Sequence, residues 1–137
     1  MSSPNDLSPL SPNAIDDISS LPDGKITLTA QPLIQILSIR STTASRFRLV
    51  ISDGIHFMQA VLAERLAESL GAILNVQSLK NSIAALEVVS WFPVHNVIPG
   101  HHHVLRLLVI EELHFVEDRT QRIGQPVSHP KPLRPSP

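Results

Sequence analysis

A chain of 137 residues, 42% hydrophobic and 17% charged with a formal net charge of −1, has the length of one folded domain with tails rather than two. It has no cysteine, which excludes disulfides, thiolate catalysis and cysteine-ligated zinc and suits the nucleus or cytosol. No apolar run approaches the roughly 20 residues that cross a bilayer, so no membrane span is expected. The opening "MSSPNDLSPLSPN" lacks the basic start and apolar stretch of a secretory signal.

Residues 1–10 are rich in Ser and Pro and read as a disordered leader, ahead of a folded unit over 11–124. "SPNAIDDISSL" predicts a short helix, with Ser11 as N-cap, Pro12 in the first turn and Asp16 and Asp17 near the positive end of its dipole. "LPDG" then breaks the chain. "KITLTAQPLIQILSIR" is a first strand interrupted at Pro32. "RFRLVIS" alternates into a second, with Phe47, Leu49 and Ile51 on one face and Arg46, Arg48 and Val50 on the other. Asp53-Gly54 signals a tight turn into a third strand, "IHFMQAVL".

Leu62, Leu66 and Leu70, four residues apart, predict a short amphipathic helix with Gly71 as its C-cap. Strands four and five run through "SIAALEVVSWF" and "HVLRLLVIEELHFV", with a loop holding Pro93, Pro99 and Gly100 between them. The tail over 125–137 is Pro-rich and reads as the start of a linker. An all-β chain of five strands, with a short helix between strands three and four and another at the N-terminus, is the pattern of an OB-fold, a Greek-key barrel. Small SH3-like barrels give a similar count.

Charge is placed more tellingly than its sum suggests. From Lys25 to Arg48 there are four cations and no acid, whereas acids gather at 64–68 and 111–118. A local basic face on a near-neutral chain points to a docking surface rather than to bulk coating of nucleic acid. Arg46 and Arg48 share a strand face by the two-residue period, and guanidinium forks suit carboxylates or phosphates.

The segments "LSPNAIDDI", "PLIQILSIR", "RFRLVISDG", "MQAVLAERL" and "LLVIEELHFV" together resemble the N-terminal OB domain of the large subunit of replication protein A, the eukaryotic single-strand DNA-binding heterotrimer. The resemblance runs from about Leu10 to Pro126. It implies a nuclear recruitment module of DNA replication, repair and recombination, whose basic barrel groove takes acidic amphipathic helices of checkpoint and repair proteins and binds single-stranded DNA weakly. It also implies that other subunits associate through parts beyond this chain. Carried over position by position, it assigns the groove to Arg40, Thr42, Thr43, Arg46 and Arg48, with Val61 and Leu62 as its apolar floor. Either Arg106 or the histidines before it, His103 foremost, stand at the final hairpin, where the family carries adjacent basic residues after a glycine.

The alternative is a direct single-stranded DNA-binding domain. Such OB-folds present stacking aromatics along a cationic track, and this chain has no Tyr, one Trp and four Phe. Phe47 falls on the apolar face, and Trp91 and Phe92 read as core or barrel rim. His101, His102 and His103 on a loop would not all aim at one ion, so no metal is expected there. No catalytic constellation stands out, since Glu111 and Glu112 fall on opposite strand faces. Neither an enzyme nor a cofactor is expected.

Overall fold

The apolar stretch after residue 24 forms two strands in the computed structural model of the chain, which describes residues 9–41, 47–73, 76–98 and 101–129. β1 (Gly24–Thr27) and β2 (Leu33–Ser41) flank a bend holding Pro32 and Gln31, the latter at φ 46°. Proline withholds a ladder donor and a left-handed residue turns the chain. Both pieces still pair antiparallel with β5 (Ile83–Ile98), Thr27 opposite Val88 and Leu33 opposite Ala85. They are one barrel strand, broken where the sequence predicts the interruption.

β3 (Phe47–Ser52) and β4 (His56–Leu62) form the hairpin expected around Asp53-Gly54. α2 (Glu64–Ile73) and a 3-10 turn (Val76–Leu79) lead into β5, which returns antiparallel as β6 (His101–Glu117). β4 lies parallel to β6, Val61 opposite Val109 and Leu62 opposite Ile110. The circuit β5–β2–β3–β4–β6–β5 therefore closes. This is a closed five-stranded barrel with a helix between its third and fourth strands, an OB fold. Closure leaves no barrel strand with a long free edge inside the circuit.

Alternation fills the interior: Leu49 and Ile51, Ala60 and Leu62, Leu108 and Ile110 are all at most 4% exposed. Their neighbours Arg48, Val61 and Val109 are left on the outside. The helix α1 (Ala14–Ser19) closes one barrel end with Ile15 and Ile18, both buried. Ser11 does not cap it. Its hydroxyl instead accepts a bond from Leu33 N–H at 2.9 Å, and Asn13 occupies the cap position without a side-chain bond. Gly71, expected to end α2, lies inside it.

α1 is positioned by Ser52-Asp53-Gly54. Asp53 is 2% exposed; its Oδ1 accepts from Ile55 N–H at 2.9 Å and His56 N–H at 2.8 Å, and its Oδ2 from Ile15 N–H at 3.0 Å. Gly54 N–H donates to Ser52 Oγ, and Gly54 takes φ 93°. One carboxylate thus shapes the turn and docks the helix across it.

The final hairpin is longer than expected. Pro93 lies in strand, opposite Arg106, and the ladder continues to Ile98 opposite His101, so His101, His102 and His103 fall in β6 rather than in a loop. Past Trp91, β5 has β6 on one side and no β1 partner on the other, and an edge position tolerates proline.

The tail read as a linker from residue 125 is bonded to the barrel as far as His129. β7 (Val127–Ser128) pairs parallel with His56 and Phe57 of β4. Before it, the fully buried Gln35 side chain donates to Asn81 O and Gln121 O and accepts from Ile123 N–H. The His129 imidazole Nε2 sits 2.8 Å from Asp16 Oδ1 on α1. This strap crosses the turn at Gly124, where a Cβ would stand 2.5 Å from Gly54 O and φ is 72°. Gly124→Ala is expected to cost about 2 kcal/mol, combining a left-handed backbone with a backbone clash. A urea melt showing an unchanged midpoint would refute that. Among the described residues no helix is long and apolar enough to cross a membrane.

Candidate partner-binding face

Strand register lines up one row of outward residues. Arg40 of β2 lies directly opposite Arg48 of β3, Arg48 opposite Val61 of β4, and Val61 opposite Val109 of β6. With strands spaced about 4.8 Å apart, the row runs roughly 14 Å around the barrel, from two guanidinium groups to two apolar side chains. Both arginines are exposed, and Val61 and Val109 are half-buried. Like charges directly opposite on neighbouring strands destabilise a sheet by roughly 0.2–1 kcal/mol. No ion pair with a described residue relieves them.

Two residues along from Val109, Leu107 faces Phe92 of β5; they are 38% and 48% exposed. The apolar half of the row thus extends onto the base of the long hairpin. Beyond Val109 the row meets Ser90, whose hydroxyl donates to Glu111 Oε2 at 2.8 Å. Charge therefore runs from positive at β2–β3 to negative at β5–β6.

The expected site residues divide. Arg40, Arg48 and Val61 come together on this face. Leu62 does not: it is 4% exposed inside the core, opposite Ile110. Val61 and Leu62 are consecutive, and the two-residue period puts one inside when the other is outside. Thr42, Thr43 and Arg46 lie outside the described residues. His103 stands opposite Asn96 in β6; its side chain is outside the described set.

Arg106 is committed elsewhere. Its Nε donates to Asp23 Oδ1 at 3.0 Å and Nη1 to Ser19 O at 3.2 Å, while Nη2 donates to Leu21 O. Its guanidinium lies 4.3 Å from the centroid of the Trp91 ring. Trp91 is itself buried and donates from Nε1 to Ile18 O at 2.8 Å. Arg106 thereby clamps the α1–β1 turn to the hairpin. Arg106→Ala is expected to lower stability by about 1–3 kcal/mol through the lost carbonyl bonds and cation–π contact. Acidic-peptide affinity should stay within about twofold. A titration in which affinity collapses while the melt is unchanged would return Arg106 to the binding face.

Sequence reasoning missed Val109, Leu107 and Phe92 as surface residues. The signal was present in "LRLLVI": once Leu108 and Ile110 are inside, Leu107 and Val109 must be out. Among the described residues no three His, Asp or Glu side chains gather as metal ligands would.

The family model for the N-terminal domain of replication factor-A protein 1 matches residues 10–118, all of α1 and the barrel. The chain belongs to that family. Among curated proteins it is similar to a replication protein A 70 kDa DNA-binding subunit of Oryza sativa subsp. japonica, 37% identical over an alignment of 67 residues that covers 42% of this chain and 7% of the relative. The matched part is thus a small fraction of that protein's length. The family's extent agrees with the fold: it begins at the buried Leu10, just before Ser11, which bonds Leu33, and ends one residue after β6.

Proposed function

We propose that this chain is a recruitment module of a single-stranded-DNA-binding replication and repair complex, and that it docks acidic amphipathic helices on the outer face of its barrel. The observation that carries this reading is the Arg40–Arg48 pair, unneutralised among the described residues and in register with Val61 and Val109. An amphipathic helix laid across the row sets its carboxylates on the arginines and its apolar side chains on Val61, Val109 and the Leu107–Phe92 pair. Glu111 at the far end repels an acid there, which favours one orientation of the bound helix. Arg46, Thr42 and Thr43, on the segment joining Ser41 to Phe47, belong to the same site in this reading. The domain is active in the nucleus without a catalytic role, and other subunits of the complex associate through regions beyond it.

Weak binding of single-stranded DNA accompanies this role. It rests on the same arginines and on Phe92, the one Phe or Trp ring among the described residues that is exposed enough to stack on a base. The rice relative's name, a DNA-binding subunit, supports retaining it as the second activity. Paired anisotropy titrations separate the two: an acidic helical peptide and a single-stranded oligonucleotide, each against the wild type and Arg40→Glu/Arg48→Glu. The peptide should bind more tightly and lose its binding in the variant. Tighter oligonucleotide binding with a steep salt dependence would replace recruitment by direct DNA binding as the main role.

A further inference from the structure

The helix α1 and the bend between β1 and β2 leave a hollow of about 480 Å³ between them, within the size range of ligand sites. Its walls are apolar, with Pro12, Ile18 and Leu21 on the helix side and Leu28 and Pro32 on the bend. Asn13, Asp17 and Thr29 also line it. None of these three side chains has a partner among the described residues, and Asn13 forgoes the capping bond its position would allow. Asp17 is the one charged residue in the lining, which contains no lysine, arginine or histidine. Exposed polar side chains around an apolar hollow, with a single negative charge and no cation in the lining, are complementary to an apolar group that carries a cation.

We propose that this hollow is a second docking site, for a short peptide segment of a partner protein in which a branched apolar residue stands beside a lysine or arginine. The apolar side chain fills the space between Ile18 and Leu28. The cation pairs with Asp17, and Asn13 and Thr29 bond the peptide backbone. In sign the site is the reverse of the arginine row. It is also distant from it: the hollow borders the start of β2, and Leu33 and Arg40 are seven residues apart along that strand, roughly 23 Å at the strand rise. Both sites can be filled at once.

The test is a backbone amide NMR titration with the capped tetrapeptide Lys-Leu-Pro-Lys and with its charge-reversed counterpart Glu-Leu-Pro-Glu. The lysine peptide should shift the amides of Ala14, Asp17, Ile18 and residues 26–30, and quench or enhance Trp91 emission, because Trp91 is bonded to Ile18 O. Asp17→Lys and Ala30→Trp, both at exposed positions, should each weaken it at least tenfold while leaving the circular dichroism and the acidic-peptide titration unchanged. Absent shifts on α1 and the bend, equal binding of the two peptides, or full affinity in a folded Asp17→Lys protein would each overturn the proposal.

Discussion

Asp53→Ala is expected to lower the unfolding free energy by about 3–5 kcal/mol, because three backbone N–H groups lose a charged acceptor and at least one of them is buried. Against a domain stability of about 5–15 kcal/mol, that removes between about a fifth and all of it. Asp53→Asn separates the two duties of the side chain. Its oxygen can still accept from Ile55 and His56, as Oδ1 does now, but an amide nitrogen would then face the Ile15 N–H. Its cost should be smaller, about 2 kcal/mol, and concentrated at α1. Urea melts with an unchanged m-value give both numbers, and amide exchange shows whether Ile15 opens before the hairpin does. Equal costs for the two variants would mean that the helix contact contributes nothing.

Arg40→Glu/Arg48→Glu is expected to reduce affinity for an acidic helical peptide by at least about 30-fold, since each charge-assisted bond at an exposed rim contributes on the order of 1 kcal/mol and reversal adds repulsion. Fold stability should hold or rise slightly, because the substituted pair has no partner to lose among the described residues and the repulsion across β2–β3 is merely inverted. Arg40→Glu alone tells more: it places an acid opposite Arg48, forming a cross-strand pair that stabilises the sheet while it blocks the ligand. A single variant that melts higher and binds less is the signature of charges held for function. If binding survives both substitutions, the row is not the docking face.

Much of the barrel could be read from period alone. Phe47, Leu49 and Ile51 alternate with Arg46, Arg48 and Val50, and the structure keeps Leu49 and Ile51 inside and Arg48 outside. The length of the final hairpin could not be read, because Pro93 and Pro99 are ordinarily strand breakers; Pro93 is tolerated since β5 has no β1 partner beyond Trp91. The bonds of Arg106 were hidden for a different reason. Its partners Ser19, Leu21 and Asp23 lie 83 to 87 residues away in sequence, so nothing near it in the chain shows that its charge is already used. A shared outward role for Val61 and Leu62, by contrast, was excluded by strand geometry from the start. The strap over 118–129 is rich in polar residues, and its attachment depends on one buried glutamine far upstream, Gln35, which no periodicity reveals.

That strap settles where the domain is held. His129 N–H bonds Phe57 O next to the β3–β4 turn, while Val61 lies four residues farther along β4, roughly 13 Å away at the strand rise. His129 therefore sits at the α1 end of the barrel, away from the arginines. In the recruitment role proposed above, a linker joined there would attach at the end of the barrel remote from the arginine row. A longer linker joined there would widen the volume searched for acidic helices without changing how tightly the proposed face grips them.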